Sequence, residues 1–199
     1  MCSKVFTLPL FNIFQNNQKM PDIKQTSKFL SLVLRHKPAT IGIVLDENGW
    51  VDVSELIEKI NAKNSKENLS FEFLQRVVTE NDKQRFIFNA DKTRIRANQG
   101  HSVNIELGLV PKTPPTVLYH GTAIANIESI KKTGINKGKR QHVHLSANTE
   151  TATKVGARHG KPVILTINTE KMHQDGITFF CSENGVWLTD FVAVEYIVF

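Results

Sequence analysis

Residues 85–97 read RFIFNADKTRIRA. The runs RFIFN (85–89) and TRIRA (93–97) flank the turn Ala90-Asp91-Lys92, a pattern that predicts a β-hairpin. Toward the N-terminus, three stretches carry helical periodicity. Phe29, Leu30, Val33 and Leu34 share one face of a helix that Thr26 or Ser27 caps and Pro38 ends, just after Arg35-His36-Lys37. A short apolar stretch (41–45) and the turn Glu47-Asn48-Gly49 then lead into Trp50-Val51. Ser54 starts a second helix with Leu56, Ile57 and Ile60 inward, and Ser70 caps a third with Phe71, Leu74, Val77 and Val78 on its buried stripe. Helices followed by a hairpin is the order of a winged helix, a module used on nucleic acid. The same order also suits a small α+β packing domain without a ligand.

Past Asn98 the texture changes to recurrent strand-like runs: TVLY (116–119), HVHL (142–145), PVILTI (162–167), ITFF (177–180), GVWL (185–188) and VAVEYIVF (192–199). Helical signals interrupt them at Ala123–Lys132, closed by Gly134, and at Thr149–Ala157. The expectation is an α+β protein: a helical lobe over 22–97, a mainly β lobe over 98–199, and an extension over 1–21 expected to be disordered. The boundary is soft, because Asn98-Gln99-Gly100-His101 and VPKTPP (110–115) both look like connecting segments.

Composition narrows the function classes. The net charge of +6 over 199 residues is shared equally among 1–21, 22–97 and 98–199, so any polyanion footprint must be local. Cys2 and Cys181 make neither a disulfide framework nor a zinc site, which favours a reducing, cytoplasmic location. No apolar run approaches a membrane span, residues 1–21 make a poor targeting peptide, and no extended apolar patch suggests an oligomer, so a monomer is expected.

Four segments concentrate polar side chains beside glycines or strands: LYHGT (118–122), KRQHVHLS (139–146), KVGARHGKPV (154–163) and SENGVWLT (182–189). Gly121 after His120 permits close backbone approach to a ribose or phosphate oxygen. Arg158, His159 and Lys161 surround Gly156 and Gly160, a concentration of cations suited to an anion or, equally, to a helix C-terminus. Arg85 opens an apolar strand, where a cation needs an anionic partner such as Asp82 or a substrate phosphate. Of the four segments only SENGVWLT holds an acid, Glu183, and the chain lacks a Walker loop, GxGxxG and HExxH. Chemistry here must lean on Arg and His, with no metal.

Together these stretches resemble the RNA 2′-phosphotransferase family over nearly all of residues 24–199. SKFLSLVLRHKP, the Gly49-Trp50 turn, QRFIF, RIRANQGHS, LYHGT, HVHLS, VGARHGKPVIL and NGVWLT occur in family order. The resemblance implies a winged-helix lobe for RNA and an ADP-ribosyltransferase-like lobe for NAD, which serves as co-substrate. It implies removal of an internal RNA 2′-phosphate, typically at a tRNA splice junction, through a 2′-phospho-ADP-ribosyl RNA intermediate. The products are 2′-hydroxyl RNA, ADP-ribose 1″,2″-cyclic phosphate and nicotinamide. The family's catalytic Arg-His-Arg-Arg group falls on Arg35, His36, Arg85 and Arg158. Arg35 and Arg85 would clamp the phosphate, Arg158 would hold its equatorial oxygens, and His36 would protonate or orient the leaving oxygen. Tyr119, His120, Gly121, Thr122, His144, Ser146 and Asn184 would hold NAD, and Arg96, Gln99 and His101 would touch the RNA phosphate or ribose. Two other readings share parts of this pattern: an ADP-ribosyltransferase that caps a terminal phosphate or modifies a protein, and a winged-helix module that only senses NAD.

Overall fold

The computed structural model describes residues 22–63, 68–81 and 83–199; residues 1–21, 64–67, Asp82 and the side chain of His159 lie outside that description. The first helix, α1 (Ile23–Arg35), starts earlier than its sequence suggests. Asp22 caps it by accepting from Lys24 N at 3.0 Å, while Ser27 lies in the buried face beside Leu30, Val33 and Leu34. Asp22 wins the cap because its carboxylate reaches the free N–H groups one turn ahead of Thr26. Pro38 opens a single 3₁₀ turn (Pro38–Thr40) that redirects the chain.

The Glu47-Asn48-Gly49 turn is built on Asp46, whose Oδ1 accepts from Asn48 N (3.0 Å) and Trp50 N (2.8 Å). Gly49 is required twice over: its φ is +80°, and a Cβ there would lie 2.7 Å from Ile105 Cδ1. β1 (Val51–Asp52) leads straight into α2 (Val53–Lys63). Ser70 caps α3 (Phe71–Thr79), as expected, through Oγ to Phe73 N at 3.2 Å.

The buried edge of α3 is Phe73, Leu74 and Val77, whereas Phe71 is exposed and packs its ring on Phe88. Both stripes pass through Leu74 and Val77. The roll of the helix against α1 chooses between them, and the spacing of apolar residues does not encode it.

The hairpin forms as read, from β2 (Phe86–Phe88) and β3 (Arg94–Ala97), with Phe86 opposite Ala97 and Phe88 opposite Ile95. β1 pairs on the other edge of β3, giving the order β1-β3-β2. Leu30, Leu34, Leu56, Leu74 and Ile95 are sealed in the core these elements share. The connector then folds back, with Ser102 N donating to Arg35 O (2.9 Å) and Glu106 N to Glu47 O (2.6 Å).

A second hydrophobic core gathers Leu118, Leu145, Leu165, Ile167, Met172, Phe179 and Val192. In chain order its elements are β4 (Val117–Ala123), α4 (Ile127–Thr133), β5 (Ile135–Asn136), β6 (Val143–Leu145) and α5 (Thr149–Gly156). They continue with β7 (Pro162–Asn168), α6 (Thr169–Gln174), β8 (Phe180–Cys181), β9 (Trp187–Thr189), β10 (Phe191–Val192) and β11 (Ile197–Val198). The sheets run β11-β7-β4 and β6-β9-β8, with β10 and β5 as a separate pair.

Paired backbone bonds between Tyr119 and Ser146 (2.9 and 2.8 Å) tie β4 to β6. Three expectations shift. The helix expected from Ala123 begins at Ile127, because β4 runs through to Ala123 and a 3₁₀ turn follows. α6 is additional, started by Asn168 accepting from Lys171 N at 3.0 Å. The C-terminal run breaks into two short strands around a 3₁₀ turn. Among the described residues, no helix is long and apolar enough to cross a membrane.

Candidate anion-binding active site

α5 lies against β4 unusually closely, and two glycines permit it. A Cβ at Gly121 would sit 1.7 Å from the Ala152 carbonyl oxygen, and one at Gly156 would sit 2.7 Å from Thr122 O. The glycines of LYHGT and VGARHG are therefore packing requirements that bring His120 and the end of α5 to one wall.

That wall closes a cavity of about 420 Å³. Arg35 and His36 enter it from the end of α1, Lys83, Gln84 and Arg85 from the approach to β2, and Arg140, His144, Ser146, Lys154 and Arg158 from the β6–α5 region. Among the described residues, six cations line it and no carboxylate does. Burial, then the neighbouring Arg85 and Arg140, push the Arg35 guanidinium down to about 10, still charged at neutral pH. Its Nη2 donates to Arg85 O (3.2 Å), but its buried Nε has no partner.

Arg85 is steered by its own lobe. Its Nη1 donates to Asn81 Oδ1 (3.1 Å) and Ser27 Oγ (3.4 Å), and Asn81 Nδ2 donates to the same hydroxyl at 2.6 Å. Gln84 just before it holds φ at +40°, a left-handed conformation rare for a side-chain-bearing residue and common at functional sites. Asn98 Nδ2 secures that turn by donating to Gln84 O at 2.6 Å. Asp82, the anionic partner suggested by sequence, lies outside the described residues.

The histidines are set as neutral rings. Burial lowers His36 first, followed by Arg35 and Arg140, and its Nδ1 lies 3.0 Å from Ser102 Oγ. His144 is pushed down to about 3 by burial, then by Arg140 and Arg35. Arg140 Nη1 lies 3.1 Å from His144 Nδ1; a guanidinium only donates, so Nδ1 is the bare acceptor and Nε2 carries the proton. That buried Nε2–H has no partner. His120 turns Nδ1–H to His144 O at 3.1 Å, leaving Nε2 as an acceptor on the cavity side.

The structure gathers most of the residues named from sequence. Arg35, His36, Arg85, Arg158, His120, Gly121, His144, Ser146, Asn184 and Gln99 all line the cavity. Asn184 also bridges the halves of the chain, donating to Lys83 O at 2.8 Å. Four expected residues lie elsewhere. Tyr119 supplies backbone pairing to Ser146. Thr122 accepts from Asn126 (3.1 Å) and borders a neighbouring cavity. Arg96 stacks on Trp50, 4.6 Å from the ring centre. His101 is wholly buried, with both ring nitrogens unpaired.

Arg140 is the residue that sequence reasoning passed over. It sits in the quoted KRQHVHLS, yet its role depends on folding onto Arg35 and His144. Its only local signal is a basic residue four positions ahead of a strand histidine. Burial and nearby Arg158 lower its guanidinium. Among the described residues, no group of three or more His, Cys, Asp or Glu side chains is placed to hold a metal.

The model of the RNA 2′-phosphotransferase, Tpt1 / KptA family matches residues 21–191. The chain belongs to this family. It is 56% identical over 176 residues to a probable RNA 2′-phosphotransferase of Flavobacterium johnsoniae, covering 88% of this chain and 96% of that protein. A probable RNA 2′-phosphotransferase of Fusobacterium nucleatum is 55% identical over 179 residues, or 89% and 98% of the two chains. One from Escherichia coli O6:K15:H31 is 51% identical over 177 residues, or 88% and 95%. The RNA 2′-phosphotransferase motifs therefore extend across both hydrophobic cores, and the cavity lies where residues from both meet.

Proposed function

We propose that this protein is an NAD-dependent RNA 2′-phosphotransferase that removes an internal 2′-phosphate of the tRNA splice-junction type. The observation that carries the reading is the cavity's charge: among the described residues, six cations from both halves of the chain converge with no carboxylate among them. Such a site is built for a multiply charged anion. The helix-then-hairpin order supports reading the first half as a winged-helix lobe that presents RNA. Family membership supports reading the second as an ADP-ribosyltransferase-like lobe that holds NAD. Here NAD is a substrate, consumed in each turnover. The unpaired His144 Nε2–H, the His120 Nε2 lone pair, Ser146 and Asn184 offer the mixed donors and acceptors that a ribose and a pyrophosphate need.

The 2′-phosphate is already an anionic nucleophile at neutral pH, so the first step needs position and charge compensation, not a base. Arg35 and Arg85 hold its oxygens. One oxygen bonds to the nicotinamide-ribose carbon as the bond to nicotinamide breaks, and nicotinamide leaves neutral. In the second step the adjacent ribose 2″-hydroxyl bonds to phosphorus and the bond to the RNA 2′-oxygen breaks. The depressed His36 is neutral at pH 7, so it takes the hydroxyl proton and returns it to the departing 2′-oxygen. Arg140, near Arg35, joins Arg158 in stabilising the equatorial oxygens. The products are 2′-hydroxyl RNA, ADP-ribose 1″,2″-cyclic phosphate and nicotinamide.

Incubation with a short 2′-phosphorylated oligonucleotide and NAD, followed by mass spectrometry, tests this directly. The expected result is dephosphorylated RNA with the cyclic phosphate. ADP-ribose retained on the RNA would mean a capping enzyme, and no nicotinamide release would end the assignment.

A further inference from the structure

A second cavity, of about 680 Å³, shares His36, His120, Gly121, Arg140, Val155 and Arg158 with the first. Its own walls add Leu32 and Lys37 from α1 and its C-terminal end, and Lys137 and Lys139 from the loop before β6. Among the described residues, no carboxylate lines this groove either. Lys137 is held by Asp190 at 3.2 Å, but among the described residues Lys37 and Lys139 form no ion pair. Soluble surfaces normally intersperse both signs of charge, so a single-sign groove is a site where a polyanion gains and a neutral ligand does not. Leu32, 36% exposed, adds an apolar surface among these cations. Alternating cationic and apolar contacts are what a single nucleic-acid strand offers partners for, through its phosphates and the faces of its sugars and bases.

Resting on the phosphotransferase reading, we propose that this groove is the track for the RNA strand that flanks the reacting 2′-phosphate, with Lys37 and Lys139 each taking a backbone phosphate. An internal phosphate cannot be presented alone. The nucleotides attached to it must leave the catalytic cavity through an opening that shares the phosphate-binding wall, and this groove shares Arg140, Arg158 and His36 with it. The contacts are to backbone, so the track sets affinity and strand direction without reading sequence.

The test is the double variant Lys37→Ala/Lys139→Ala, assayed with NAD on two substrates. One is an octanucleotide with a central 2′-phosphate; the other is a dinucleotide carrying the 2′-phosphate and a single internucleotide link. The KM for the octamer should rise roughly 10-fold while its kcat, the KM for NAD and the dinucleotide parameters stay within about twofold. Octamer affinity should also lose salt dependence, by about 0.7 in log–log slope per phosphate contact removed. An unchanged octamer KM, an equal loss on both substrates, or a raised KM for NAD would each overturn the track. Binding of an unreactive 2′-hydroxyl octamer keeps the two readings separable. If the wild-type protein turns over neither substrate, the activity assignment fails, while weaker binding by the variant still supports the groove and equal binding still refutes it.

Discussion

Two pairs of arginines stand on the first half of the chain, and their surroundings differ. Arg94 is neutralised by Asp46, and Arg96 lies flat on Trp50 with Nη1 donating to Asn48 O at 3.4 Å. Arg35 and Arg85 face a cavity that, among the described residues, no carboxylate lines, and Arg140 lies near Arg35 there. The first set completes its charge balance within the fold. In the second, Arg35 and Arg140 bring like charge together, and that repulsion is tolerable only because the cavity is open to solvent anions or substrate. Crowding of like charge, more than cation content, marks the functional site.

The largest effect that sharpens this contrast is on turnover. Arg85→Ala and Arg140→Ala should each lower kcat/KM by about 10²–10³-fold, roughly 3–4 kcal/mol of transition-state stabilisation. Arg96→Ala should leave it within about fivefold, because its contacts are to Trp50 and Asn48. Comparable losses for Arg96 and Arg140 in steady-state assays would erase the distinction.

A second effect is smaller and concerns stability. Burial, then Arg35, His36 and Arg96, push the wholly buried His101 from 6.5 down to about 3. Below pH 6.5 the unfolded chain binds a proton that the folded ring refuses, so this contribution to stability is complete above 6.5 and lost as pH falls toward 3. Between pH 6.5 and 5 the loss is about 2 kcal/mol. Urea unfolding across that range should show it, and His101→Phe should remove that part of the slope. His144, also near 3, and the other depressed histidines keep the remainder. An identical acid slope in the variant would place the titration elsewhere.

The smallest effect separates the two partners of the neutralised pair. Asp46 also accepts from the backbone of Asn48 and Trp50, so Asp46→Ala should cost about 1–2 kcal/mol in denaturant unfolding. Arg94, still 43% exposed, should cost less than about 1 kcal/mol when replaced by Ala. Equal costs would show that the ion pair, not the turn, is what stabilises this corner.

Local physics alone was enough for several features. The Ser70 cap, the 85–97 hairpin and the strand start at 116–119 follow from hydrogen bonds and periodicities confined to a few neighbouring residues. So does the list of cations and histidines from which the site is assembled. What the fold decided is which of those groups meet. Arg94 finds its acid 48 positions away, Asn184 reaches Lys83 across 101, and Arg140 comes within electrostatic reach of Arg35. The same is true of the face that α3 buries, which α1 selects. Charge balance and burial are properties of space, not of spacing along the chain, so Arg96 and His101 looked like ligand contacts and Arg140 did not until the two cores closed around the cavity.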